Sequence, residues 1–260
     1  MSLSADRTGD FIQSLERGLA VINSFSREHP SQTLSEVATR TGLTRATSRR
    51  VLLTLVELGY VTQMGRSFSL TPKVLDLGYS FLSSLQVIEV AQPSMERLVE
   101  EVHESSSMSV LDGSEVVYVA RVPTTRIMTI ALALGSRLPA YATSMGRVLL
   151  SGMADDELDD YIARTSFEKL TPHTVTDPRR FRSIVMNVRA DGFALVDQEL
   201  EEGVRSIAAP IRNRRGETIA AMNVSCHASR VSVDHMLTEL KPRLLEAATE
   251  INDRVRTLPT

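Results

Sequence analysis

TLSEVATRTGLTRATSRRVLLTLVELGYVTQMGRSFSL, residues 33–70, carries two short helical patterns, a tight turn and a hairpin in the order of a winged helix-turn-helix. In LSEVATRTG, Leu34, Val37 and Ala38 fall on one helix face, and Gly42 permits the turn that follows. Thr44 is placed to cap a second helix over TRATSRRVLLTLVELG, which Gly59 ends. Ser48, Leu52, Leu55 and Leu58 form its inward stripe, so Arg45, Arg49 and Arg50 emerge near its N-terminal end on the other side. That end is the part of such a motif that enters a DNA major groove. Arginine suits the place because its planar fork donates two parallel hydrogen bonds to O6 and N7 of guanine. Thr44 and Thr47 add short hydroxyls. YVTQM and SFSL read as two strands about Gly65-Arg66, with Arg66 at the tip in reach of a phosphate or the minor groove. A charge cluster alone reads first as a solvated helix face. The wing beside it moves the expectation to recognition of double-stranded operator DNA.

A winged helix needs far fewer than 260 residues, so a second domain is expected. The net charge is only −3, which makes any nucleic-acid surface local. The stretch from Leu43 to Lys73 fits, since Arg45, Arg49, Arg50, Arg66 and Lys73 stand against the single acid Glu57. One cysteine, Cys226, excludes an internal disulfide framework and a cysteine-rich zinc site, and points to a reducing compartment. MSLSADRTGDFIQ lacks a hydrophobic signal core, and the longest apolar run, around IMTIALAL, is too short to span a bilayer. A cytoplasmic protein without membrane contact is the expectation.

FIQSLERGLAVINSFS reads as an amphipathic first helix that buries Leu15, Leu19, Ile22 and Phe25. The DNA-binding domain is drawn over residues 1–72, a linker helix over 73–86 and the remaining domain over 87–260. KVLDLGYSFLSSL supplies the linker helix, and VIEVAQPSMERLVEEVHE a further helix that Pro93 interrupts or restarts; their apolar faces suit dimer contacts. SMSVLD, VVYVARV and IMTIALAL then read as strands. Helices follow in ATSMGRVLLSG, DDELDDYIART and DPRRFRSIVMNVRADG, and strands return in FALVD, VRSIAAPIRN and TIAAMNVSC. The closing helix, VDHMLTELKPRLLEAATEINDRV, is interrupted at Pro242. Sequential hairpins with flanking helices give an α+β class with a mainly antiparallel sheet.

The winged helix, AYATSMGRVLLS, GFALVDQELEEGVRSIAAPIRNRRGE and AAMNVS together resemble the IclR family of bacterial transcriptional regulators over nearly the full length. VYVARVPTTRIMTIALALGSRLPAYATSMGRVLL is most similar to its PcaR/PobR branch, which governs catabolism of protocatechuate and related aromatic acids. The resemblance implies a GAF-like effector-binding domain, dimers that can pair into tetramers, and a small organic acid, aromatic in class, as effector. It also implies effector contacts at the turn Ser144-Met145-Gly146 and at Asp197, Ser206, Asn223 and Ser225. Some relatives carry cysteine where this chain has Ser206, which removes a soft thiol from the site.

Residue chemistry alone speaks more softly about that pocket. Ser144-Met145-Gly146 opens a short helix, where backbone N–H groups and the helix dipole favour a carboxylate and Gly146 permits close approach. A plain helix start packed on a sheet fits the same residues. Asn223 and Ser225, two apart on a strand, point to one face. Cys226 points to the other, as an inert buried thiol. Arg121 and Arg205 suit either an effector carboxylate or structural ion pairs with acids of LVDQELEE.

An enzyme fused to a DNA-binding module is the alternative function. Against it, Cys226 and His227 are strand neighbours that face opposite ways, so they do not form a nucleophile–base pair. The histidines show no metal-ligand spacing, and the glycine-rich nucleotide motifs are absent. The reading is therefore of no catalytic residues, no metal and no cofactor. DDELDD is a solvated helix face with its acids favouring the N-terminus.

Overall fold

A computed structural model describes residues 10–124 and 132–257. The chain separates between Ser84 and Leu85 into two compact units.

In the first unit, α1 (Gln13–Asn23) precedes β1 (Ser31–Thr33), α2 (Leu34–Thr41), α3 (Arg45–Glu57), β2 (Val61–Met64), β3 (Ser67–Leu70) and α4 (Leu75–Ser84). Local chemistry fixes these boundaries. Thr33 and Glu36 form a reciprocal capping box, in which the Thr33 amide donates to the Glu36 carboxylate at 2.7 Å. That contact and the Thr33 hydroxyl hold the Glu36 carboxyl below its ordinary range. Gly42 ends α2 in the left-handed conformation, at φ 67°. After α3, the Tyr60 and Gly59 amides donate back to the carbonyls of Leu55 and Val56, with Gly59 at φ 80°. The hairpin β2–β3 gains a third strand, because Gln32 in β1 pairs with Phe68 in β3. Val21, Val37, Leu52, Leu55, Val61 and Phe68 form the core.

The first helix buries only part of the expected stripe: Ile22 and Phe25 pack, half-buried, against the core. Leu15 and Leu19 are 61% and 48% exposed, and Val21 is the buried residue of α1. Periodicity had identified a real apolar face, but among the described residues of this unit little covers it. Leu58, assigned to the inward stripe of α3, is likewise exposed, because it caps the helix where the chain leaves.

The second unit contains α5 (Gln86–Val102), β4 (Ser105–Asp112), β5 (Glu115–Val122), β6 (Arg137–Pro139), α6 (Ser144–Ser151), α7 (Asp155–Arg164), α8 (Pro178–Asp191), β7 (Ala194–Asp197), β8 (Val204–Arg212) and β9 (Thr218–His227). It closes with α9 (Val233–His235), a π-helical turn over Met236–Leu240, and α10 (Lys241–Val255). The six strands form one antiparallel sheet in the order β6-β5-β4-β9-β8-β7. Alternation then sorts the side chains. Ser109, Ala208 and Ala221 turn to the face that α6 covers, whereas Met222, Val224 and Cys226 turn to the other, where α5 and α10 pack.

Two expectations need correction. Pro93 does not interrupt α5, which runs unbroken because Val87 and Ala91 before it and Met95 and Leu98 after it are all buried and anchor both halves. The last helix is interrupted at Pro242 as expected: a π turn over Met236–Leu240 precedes it, and α10 restarts at Lys241 with Pro242 in its first turn. Of the strand expected over IMTIALAL, residues 127–131 lie outside the described residues, and Leu132 to Leu134 are not in a strand. Among the described residues, no single helix is long and apolar enough to cross a membrane.

Candidate functional site

Two surfaces carry the predicted functional residues, one in each unit. In the first, Arg45 and Arg49 lie one turn apart on α3 and are exposed, as is Arg66 at the wing tip. Thr44 is occupied in holding the helix start: its hydroxyl accepts from the Thr47 amide at 3.2 Å and donates to the Thr47 hydroxyl at 3.0 Å. Arg50 is exposed too, but it borders the groove between α1 and α3 beside Arg17, apart from Arg45 and Arg49. Ser48 is fully buried.

In the second unit a narrow cavity lies between α6 and the sheet. Ser144, Ser206, Asn223 and Ser225 all line it. Register explains the convergence: Ser206 pairs with Ser225, and Asn223 pairs with both Ala208 and Ser107, so these side chains share one face. Asn223 is oriented by two hydrogen bonds. Its carbonyl accepts from the Ser107 amide at 3.0 Å, and its amide donates to the Ser225 hydroxyl at 2.9 Å. Thr143 caps α6 by accepting from the Gly146 amide at 3.0 Å. The buried Ser144 hydroxyl finds no hydrogen-bond partner among the described residues, which leaves a donor at the positive end of α6. The cavity holds about 30 Å³. A formed small-molecule pocket is roughly 300–1,000 Å³. An organic acid therefore enters only as side chains swing aside, and Leu132 and Leu200, both half-buried, line the cavity.

Three of the expected residues do not line this cavity. Asp197 pairs opposite Arg205, one residue out of phase with Ser206, and so turns to the other face of the sheet. There it forms an ion pair with Arg205, whose guanidinium also donates to the carbonyls of Ala228 and Val231. Met145 is fully buried, with its sulfur 3.4 Å from the Ser109 hydroxyl. Gly146 serves packing: a Cβ there would sit 2.0 Å from the Ala140 carbonyl oxygen. Arg121 donates to the Leu132 carbonyl at 2.7 Å, so both candidate arginines have structural partners.

Other residues of this region escaped the sequence reading. Tyr118, Leu132, Thr143, Val196, Leu200 and Val204 complete the lining. A signal for its polar floor was present in SSSMS, 105–109, whose alternate serines face Asn223 and Ser225 across the β4–β9 ladder. Beneath the cavity, Arg147 and Glu199 form a buried bidentate pair at 2.7 and 2.6 Å. Glu199 also accepts from the Val175 amide at 2.9 Å, which ties α6 to two loops.

Cys226 is buried, and burial pushes its thiol up to about 12, with the Glu104 carboxylate acting in the same direction. A thiol held so high is neutral at pH 8 and not nucleophilic. Iodoacetamide at that pH is expected to leave the native chain unlabelled and to label it fully in denaturant; mass spectrometry distinguishes the two. Among the described residues no group of three histidine, cysteine or acidic side chains is placed to hold a metal ion.

Residues 14–65 match the IclR helix-turn-helix domain, and residues 79–253 match the C-terminal domain of IclR bacterial transcriptional regulators. The Pca regulon regulatory protein of Pseudomonas putida is 43% identical over 93% of this chain and 84% of its own length. The p-hydroxybenzoate hydroxylase transcriptional activator of Acinetobacter baylyi is 37% identical over 96% and 94%. Among solved structures, an IclR homologue from Microbacterium hydrocarbonoxydans in complex with 4-hydroxybenzoate superposes with a TM-score of 0.84 at 26% identity, covering 94% of this chain and all of that one. A transcriptional regulator from Rhodococcus sp. RHA1 gives 0.86 at 55% identity, covering 94% of this chain and 98% of that one. These relatives and both matched domains are regulators, which sets aside the reading of an enzyme fused to a DNA-binding module. With an exposed arginine pair on a winged helix and two domain matches that together span most of its length, the chain belongs to the IclR family of bacterial transcriptional regulators.

Proposed function

We propose that this regulator controls aromatic-acid catabolism by binding a small organic acid in the cavity beside α6 and altering its grip on operator DNA. The observation that carries the reading is the convergence of Ser144, Ser206, Asn223 and Ser225 at the N-terminal end of one helix. Hydroxyl and amide donors there, added to the helix dipole, suit a carboxylate. Protocatechuate, 4-hydroxybenzoate and β-ketoadipate are the acids to test by calorimetry against the full chain. Saturable heat with one of them and with no chemical change supports the reading, and silence with all three removes it.

Residues 1–72 then read DNA in the cytoplasm, 73–86 transmit, and 87–260 bind effector and assemble subunits. The exposed apolar face of the first unit, with Leu15, Leu19, Leu75, Leu77 and Phe81 each at least 48% exposed, suits a second copy of the chain. Dimers place two recognition helices on a two-fold operator, and tetramers pair such dimers.

For the DNA contact, Arg45→Ala or Arg49→Ala is expected to weaken specific binding by about 1–3 kcal/mol, as loss of a guanine contact does. Gel-shift titrations on operator and random duplexes separate the roles. Equal losses on both mean a phosphate contact, and no loss removes the residue from the interface. Arg66→Ala is expected to act through phosphate or groove electrostatics, with a shallower salt dependence.

A further inference from the structure

Among its described lining residues, the cavity has one polar group that neither the helix start nor the serine cluster explains. Tyr118, on β5, lines the cavity and is 4% exposed. Its hydroxyl makes no hydrogen bond among the described residues. A β-bulge puts it there. The β4–β5 register shifts between Met108 and Ser109, so that Tyr118 pairs with Ser109 while Arg121 pairs with Ser107. Tyr118 and Arg121 are three apart, and in an unbroken strand they would face opposite ways. The extra residue turns both to the face under α6.

Strand order separates this phenol from the serine cluster. Tyr118 sits on β5 and Ser206 on β8, three strand spacings away, or about 14 Å between backbones. Ser206 and Ser225 therefore stand toward one side of the cavity, and among its described lining residues Tyr118 stands toward the other, next to the apolar Leu132. A carboxylate belongs where several donors converge, at Ser206, Asn223 and Ser225.

We propose that Tyr118 is a specificity-determining residue whose phenol hydrogen-bonds a ring hydroxyl of the effector, so that the site takes hydroxybenzoic acids in preference to benzoate. This rests on the effector-pocket reading above. Burial pushes the Tyr118 hydroxyl up to about 12, so it remains a protonated donor throughout the working pH range. A site built around such a donor discriminates against an analogue that leaves it unpaired.

The test is a calorimetric cycle on the full chain, parent and Tyr118→Phe, each with 4-hydroxybenzoate and with benzoate. The substitution removes one oxygen and keeps the ring, and urea unfolding of both chains checks the fold. Tyr118→Phe is expected to weaken 4-hydroxybenzoate about ten-fold or more, the scale of one buried hydrogen bond, and to leave benzoate within about two-fold. Equal weakening of both acids, or no change in either, overturns the assignment while the effector reading stands. If the parent chain binds neither acid, the effector reading itself falls, and the Tyr118 proposal falls with it.

Discussion

Glu199→Ala is expected to destabilise the second unit by about 3–5 kcal/mol, as removal of one partner from a buried ion pair does. Arg147 is 2% exposed, so without Glu199 its guanidinium charge is left unpaired in the interior. Its remaining contacts are a hydrogen bond from Nε to the Tyr141 carbonyl at 3.1 Å and the Phe181 ring, 5.9 Å from the guanidinium carbon to its centroid. Neither neutralises it. The Val175 amide also loses its acceptor. Urea denaturation monitored by far-UV circular dichroism reads the effect directly. The comparison is Arg182→Ala, which breaks the exposed pair with Asp159 and should be close to silent, because solvent screens it. Replacing Arg147 and Glu199 together by Met and Leu should recover most of the loss, since two apolar groups leave no orphaned charge. A loss for Glu199→Ala no larger than that for Arg182→Ala would mean that water reaches Arg147.

That ion pair also marks where the sequence stopped being readable. The DNA-binding unit was legible because its information is local: Thr44 caps, Gly42 and Gly59 turn, and Gly65 closes a hairpin, each within a few residues of what it controls. Asn223 and Ser225 were legible for the same reason, since strand alternation alone puts them on one face. Asp197 was not, because its face depends on the register of β7 against β8, and a shift of one residue reverses it. Arg147 and Glu199 are 52 positions apart and carried no spacing signal at all. Tyr118 needed the bulge in β5, which no local motif announces. The α1 stripe teaches the complementary lesson: Leu15 and Leu19 were correctly seen as one apolar face, but periodicity says nothing about what covers it. Pro93 and Pro242 were both read as interruptions because proline is costly inside a helix; the π turn before Pro242 bears that out, whereas buried residues on both sides of Pro93 outweighed the cost.

Replacing Asn223 and Ser225 together with alanine is expected to abolish effector binding and, with it, any effector-dependent change in operator affinity. An effector alters DNA binding only through unequal affinity for two arrangements of the protein, so the change it causes cannot outlast its own binding. In the parent chain that coupling is expected to be roughly 1–3 kcal/mol, in either direction. The site gives a reason for two arrangements: a cavity of about 30 Å³ must widen to admit an acid, and α6, β8 and β9 form its walls. Under the proposed pairing of two copies, the exposed apolar positions Leu75, Leu77 and Phe81 of α4 are where a second packing would register that widening. Removing Asn223 also leaves the Ser107 amide without its acceptor, which costs about 1–3 kcal/mol of stability. Ser225→Ala alone keeps that bond and is the gentler companion, expected to weaken the effector without emptying the site. Calorimetry supplies the affinities, and operator titrations with and without effector supply the coupling. Should the double variant bind effector as tightly as the parent, the carboxylate end of the pocket lies elsewhere, whatever the DNA-binding unit does.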